Sequence, residues 1–135
     1  MNFDNVMRYS KNHEWIKLIN QENVGNNKYA YIGITAFAKK ELGDIVYLDI
    51  EEEILGKTMN KNEVFGTIEA VKTVSDLFIP ISGIVLEINE QLISQPEILH
   101  KDPYEEWMIK IKILDINEYH GLMSFQEYEE YTKKT

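Results

Sequence analysis

From Trp107 to Leu114 the chain runs Trp-Met-Ile-Lys-Ile-Lys-Ile-Leu, with Trp107, Ile109, Ile111 and Ile113 alternating against Met108, Lys110, Lys112 and Leu114. A period of two sends successive side chains to opposite faces of an extended backbone, so this run predicts a half-buried strand. Other short apolar runs carry the theme along the chain. Glu14 to Ile19 and Tyr29 to Ile34 flank a polar stretch with Asn20, Asn23, Gly25, Asn26 and Asn27, which predicts a hairpin. Ile45 to Ile50, Glu63 to Val71, Leu77 to Ile81 and Ile84 to Ile88 predict further strands, the last opened by Gly83. Pro80 has no amide proton for a ladder and so marks a strand end or an edge.

Helical signals are short and lie between or after these runs. Thr35 can cap Ala36 to Leu42, which puts Ala38 and Leu42 on one face and stops at Gly43. Asn89 begins a helical turn that Pro96 interrupts. Asp115 with Glu118, and Ser124 with Glu127, start two helices in the tail, the second through a full Ser-x-x-Glu capping box ahead of Tyr128 and Tyr131. The expected fold class is mainly β, a small sandwich with three or four peripheral helices, in one domain over residues 1–135 whose C-terminal helices span about 115–134.

At 135 residues and 44% hydrophobic content the chain can build one core without staples. It has no cysteine, which excludes a disulfide framework, a thiolate metal site and a catalytic thiol. A formal net charge of -9 argues against nucleic acid and anionic membrane surfaces and suits protein partners with basic patches. No apolar run approaches the roughly 20 residues that span a bilayer, and Met1 to Ser10 has neither a signal-peptide core nor an Arg-rich transit pattern. A soluble protein is expected.

Lys72 is the residue of chemical interest. Only a few residues separate the strands expected on either side of it, so it should stand exposed at a hairpin tip, flanked by the β-branched Val71 and Thr73 with Glu69 and Asp76 nearby. A reactive group that visits several enzymes needs a long arm on a rigid support, and a hairpin tip supplies one. By pattern alone, a turn lysine is more often simply solvated. His13, His100 and His120 lack metal-ligand spacing, and His13, beside a core-forming Trp15, reads as structural. Trp107 also reads as core. Glu51, Glu52 and Glu53 read as a solvated loop, and neither a phosphate-binding glycine loop nor a nucleophile elbow is present.

The run Phe65-Gly66-Thr67-Ile68-Glu69-Ala70-Val71-Lys72-Thr73-Val74-Ser75-Asp76-Leu77, followed by Pro80-Ile81-Ser82-Gly83, resembles the lipoylation segment of glycine cleavage H proteins. His13-Glu14-Trp15, Ile32-Gly33-Ile34-Thr35, Leu42-Gly43-Asp44-Ile45-Val46, Asp102-Pro103-Tyr104 and Trp107 to Lys112 are similar to the family's other blocks and follow its order. The resemblance implies a hybrid barrel-sandwich fold and a non-catalytic carrier with lipoate in amide linkage on Lys72. It implies that the arm accepts an aminomethyl group at the glycine decarboxylase (P protein) and delivers its methylene to tetrahydrofolate at the aminomethyltransferase (T protein). Dihydrolipoamide dehydrogenase (L protein) then reoxidises it. A lipoate ligase or a lipoyl/octanoyl transferase would attach the arm, in bacterial cytoplasm or, in a eukaryote, the mitochondrial matrix. By the same resemblance Glu14 and Asp76, with Asn12 where relatives often have Ser, line the cleft in which the loaded arm docks.

The sequence departs from the family pattern at Glu51, where Pro is common, at Asn62, a usual turn Gly, and at Ala70, a frequent Ser. The stretch before Trp107 is one residue short, and the loops near Asn20 to Lys28 and Glu51 to Lys61 are slightly long. Biotin carriers usually have Met on both sides of the lysine, and lipoyl domains of 2-oxoacid dehydrogenases usually show Asp-Lys-Ala; neither fits Val71-Lys72-Thr73. An H-like lipoyl donor or regulatory adaptor, which would use Lys72 without Glu14 and Asp76, is the alternative expectation; a hydrolase lacks a matched acid/base pair.

Overall fold

The computed structural model describes residues 7–19 and 27–134; residues 20–26 of the expected polar loop lie outside the described residues. The chain is laid out as β1 (Met7–Tyr9), β2 (Glu14–Ile19), β3 (Tyr29–Ile34), α1 (Ala36–Leu42), β4 (Ile45–Asp49), β5 (Thr58–Met59) and β6 (Val64–Ala70). It continues through β7 (Val74–Phe78), β8 (Gly83–Ile88), α2 (Glu90–Ser94), β9 (Ile109–Ile113), α3 (Ile116–His120) and α4 (Phe125–Lys133), with short 3-10 turns at Glu52–Ile54 and Pro96–His100. Six strands pair in the order β1-β2-β3-β9-β8-β5, and three in the order β4-β6-β7.

The alternating run places β9 between β3 and β8, with Ile109, Ile111 and Ile113 buried. Its first two residues depart from the expected faces. Met108 is fully buried and Trp107 only partly, because the chain leaves the ladder there: the Met108 amide donates to Ile32 O at 2.7 Å and its carbonyl accepts from the Asn89 amide at 2.9 Å. Trp107 instead packs on Tyr31, ring centroids 4.8 Å apart.

The inner faces of both sheets share one core that includes Ile16, Ile32, Leu48, Ile68, Val85 and Ile111. A second cluster of Met7, Tyr9, Trp15 and Tyr128 joins the start of the chain to α4. Trp15 lies directly across Gly33, where an added Cβ would stand 2.5 Å from the indole, and its Nε1 donates to Pro103 O at 2.9 Å. Glycine is required there by close approach.

Local chemistry explains the helix ends. The Thr35 hydroxyl accepts from the Ala38 amide, and Gly43 closes α1 at φ +79. Asn89 and Asp115 cap α2 and α3, and the Ser124–Glu127 capping box opens α4. Asn62 takes φ +74 at the turn where a glycine is usual, a conformation Asn tolerates better than most residues.

Candidate functional site

Strands β6 and β7 pair with Thr67 opposite Asp76, Ile68 opposite Ser75 and Glu69 opposite Val74. The Ala70 amide donates to Thr73 O at 2.8 Å, so Val71 and Lys72 form the tip of this hairpin. The second strand starts at Val74 and ends at Phe78, earlier than the expected Leu77 to Ile81. Sequence reading followed the apolar residues; the strand instead uses exposed Val74 and Asp76 on its outer face, and the chain turns away before Pro80. Ile79 and Ile81 are still fully buried, as core residues beyond the strand.

Lys72 is exposed, and its ammonium has no hydrogen bond or ion pair among the described residues. The backbone beneath it is held: the Val71 amide donates to Asp44 O at 3.1 Å, which fixes the tip to the start of β4. An irregularity between Ile45 and Tyr47 turns both Val46 and Tyr47 outward, so the tip is surrounded by exposed apolar side chains, Val71 at 69% and Val74 at 63% among them.

A cavity of about 140 Å³ opens beside β7. Asn12, His13 and Glu14 form one wall, Ala38, Glu41 and Leu42 of α1 a second, and Ser75 and Asp76 of β7 the third. The structure thus brings together the three cleft residues expected from sequence. Asp76 lies four residues from Lys72, roughly 13 Å along an extended strand.

The two carboxylates differ in kind. Asp76 is exposed and its carboxylate has no partner among the described residues. Glu14 is only 2% exposed. One of its oxygens accepts from the Ser10 hydroxyl at 2.8 Å and the other from the Phe78 amide at 3.3 Å, while the Glu14 amide donates to Ser10 Oγ at 3.0 Å. Burial pushes its carboxyl up to about 7, and these hydrogen bonds only partly oppose the shift. Ser10 was not among the candidate site residues expected from sequence.

His13 takes a left-handed backbone, φ +68, rare for a residue with a Cβ. Its Nδ1 lies 2.8 Å from the Tyr128 hydroxyl and its ring 4.6 Å from that of Phe37. Burial lowers its pKa, with Glu41 opposing. These contacts make it a structural residue, as expected. His100 is engaged elsewhere, its Nε2 accepting from the Ile45 amide at 3.3 Å, and His120 is exposed at the end of α3. Among the described residues no group of three or more His, Cys, Asp or Glu is placed to hold a metal. Glu51 to Glu53 are exposed.

The sequence model described as "Glycine cleavage H-protein" matches residues 7–135. The chain belongs to this family. The glycine cleavage system H protein of Bacillus cytotoxicus is 43% identical over 135 residues, 99% of each chain, and that of Bacillus cereus is equally similar at 43%. The solved glycine cleavage system H protein of Mycobacterium marinum superposes with a TM-score of 0.78 at 29% identity, covering 98% of this chain and 99% of that one. The two-sheet, mainly β architecture with short helices is therefore the H-protein fold. Membership makes the chain a non-catalytic lipoyl-carrier component of the glycine cleavage system. No helix among the described residues is long and apolar enough to cross a membrane.

Proposed function

We propose that Lys72 carries lipoate in amide linkage and that Asn12, Glu14 and Asp76 hold the charged end of the loaded arm. The observation that carries this reading is an exposed, unpartnered amine at a hairpin tip whose second strand runs directly into an acidic cleft. The site fits the group: among the described residues the lysine has no partner to be broken before it reacts, and amide formation removes a charge that none of them uses.

When attached, lipoate supplies a disulfide that can take up an aminomethyl unit and two electrons. The protein's part is to hold and to shelter. Asp76 offers a free carboxylate, Asn12 an exposed amide, and Glu14 a buried carboxyl that releases its proton to solvent and becomes a stronger acceptor when a cation approaches. Leu42, Ile68 and Leu77 line the same cavity and exclude water from the arm. An ammonium there gains charge-assisted hydrogen bonds that an uncharged arm does not, so docking follows loading. The partners on this reading are the P, T and L proteins, together with a lipoate ligase or a lipoyl/octanoyl transferase, in bacterial cytoplasm; the Bacillus relatives support that setting.

Intact-mass measurement after expression with lipoate tests the attachment. Wild type should gain one lipoyl group and Lys72→Arg none, and peptide mapping that finds lipoate on another lysine would overturn the assignment. Loaded carrier isolated without T protein tests the cleft. Glu14→Gln and Asp76→Asn should release formaldehyde and ammonia faster than wild type, and equal rates in all three would remove the sheltering role.

A further inference from the structure

The cleft's first two walls come from parts of the chain that do not adjoin in sequence, and a single hydroxyl bridges them. Tyr128 Oη lies 2.8 Å from His13 Nδ1 and 2.7 Å from Thr35 Oγ1. His13 is the middle residue of the Asn12–Glu14 wall, and Thr35 is the N-cap of α1, which supplies Ala38, Glu41 and Leu42 to the other. One proton arrangement satisfies every group. In it Thr35 Oγ1, which accepts from the Ala38 amide, gives its own proton to the Tyr128 oxygen, and Tyr128 gives its proton to the bare Nδ1 of a His13 protonated at Nε2; with the opposite directions the Thr35 proton would have no acceptor in this chain of bonds.

Tyr128 is well placed to act as a fixed post. It is buried and stacks on Tyr9, ring centroids 5.0 Å apart at 14°. One turn on, the Tyr131 hydroxyl donates to Lys11 O at 3.3 Å, so α4 grips the same Ser10–Glu14 turn twice. The left-handed backbone at His13 needs such support, because strained conformations persist only where the surroundings over-determine them. Burial raises the phenol to about 12, so the hydroxyl keeps its proton throughout the working pH range.

We propose that Tyr128 is a positioning residue for the arm cleft: by joining His13 to Thr35 it fixes the spacing between the wall that carries Asn12 and Glu14 and the wall formed by α1. The proposal rests on the cleft reading given above and adds to it a role for the C-terminal helix. A purely structural tyrosine would anchor α4 and leave the cleft's performance alone. The Lys72 tip is held through Asp44 and Thr73 and has no contact with α4 in this network, so acylation should not sense Tyr128.

Tyr128→Phe removes one oxygen and keeps the stack on Tyr9. In the unmodified protein, amide exchange at His13, Glu14 and Ala38 should speed up while β8 and β9 stay protected. Lipoylation of Lys72 should proceed at the wild-type rate, and isolated loaded carrier should release formaldehyde and ammonia about fivefold faster, roughly the net worth of one of the two hydrogen bonds that the substitution removes. Ile113→Val, a core change of similar stability cost away from the cleft, is the control and should leave release unchanged. In a Glu14→Gln background the Tyr128→Phe effect should largely vanish, since both act on one wall. Should Tyr128→Phe fail to fold, His13→Asn tolerates the left-handed backbone without reaching the phenol and should give the same acceleration. Release no faster than in Ile113→Val, or a full multiplicative effect on top of Glu14→Gln, overturns the proposal alone. Wild-type release from Glu14→Gln and Asp76→Asn overturns the cleft reading and the proposal with it.

Discussion

At the Lys72 tip the side chains are open to solvent: Lys72 has no partner among the described residues, Val71 and Val74 are well exposed, and backbone hydrogen bonds from Ala70 and Val71 do the holding. Across the cleft, at the Ser10–Glu14 turn, side chains do it. Ser10 and Glu14 satisfy each other, His13 is tied to Tyr128, and Trp15 is seated on Gly33 and bonded to Pro103. The contrast follows from the two tasks proposed above, attachment at the tip and docking at the wall. A point of attachment must be reached by several enzymes, so any side chain packed over it would have to be displaced each time. A docking wall must present a few polar atoms at fixed spacing, and that requires buried neighbours.

The contrast predicts that the turn should be far more sensitive to small changes than the tip. Gly33→Ala is the severest test. The new methyl would lie 2.5 to 2.9 Å from three atoms of the Trp15 indole, which Pro103 O prevents from sliding away. Overpacking of this kind costs about 3 kcal/mol, near the top of the usual range. Urea unfolding should show a loss of that size; a loss below about 1 kcal/mol would mean that the turn yields and the contrast is weaker than the structure suggests.

A smaller effect is expected from Glu14, and its sign is unusual. Its folded pKa is about 7 against an ordinary value of 4.5, so between these the folded state keeps a proton that the unfolded chain releases. The contribution is whole below about pH 4.5 and is lost as pH rises through 7, falling by on the order of 2 kcal/mol between about pH 5 and 7.5. Glu14→Gln cannot ionise and can still donate to Ser10 and accept from Phe78. The variant should therefore match wild type near pH 4.5 and exceed it at pH 7.5, while sheltering the loaded arm less well. Parallel stability curves for the two proteins would show that the buried carboxyl titrates normally.

Much of the fold was legible because its causes are local. Thr35 and Gly43 at the two ends of α1, and Ser124 with Glu127 at the start of α4, fix helix ends through atoms three or four residues apart, and the limits of β2 and β3 follow from contiguous extended runs. The tip at Lys72 was legible for the same reason. Strand β7 was placed late because a strand with a solvated outer face, Val74 and Asp76, looks like turn until its partner is known. The burial of Glu14 and the role of Tyr128 were beyond local reading. Glu14 is sealed by Ser10 four residues away but also by Phe78 64 residues away, and Tyr128 meets His13 and Thr35 across 115 and 93 residues. Asn12, Glu14 and Asp76 entered through resemblance, and spacing alone gave no reason to put them in one cavity.

The smallest effect belongs to the tip and is the other half of the contrast. Val71 is 69% exposed, so Val71→Ala gives up little buried area. The hydrogen bond from its backbone amide to Asp44 O does not depend on the side chain, and neither does the Ala70–Thr73 bond that closes the turn. What remains is the lower β-propensity of alanine at a turn position, a few tenths of a kcal/mol. Stability by urea unfolding should change by less than about 0.5 kcal/mol, the usual range for a surface substitution. The same measurement can break the comparison. A loss above about 1 kcal/mol would mean that side chains hold the tip after all, with Val71 packed against Val46, Tyr47 or Val74 in solution, and that attachment point and docking wall are built by the same means.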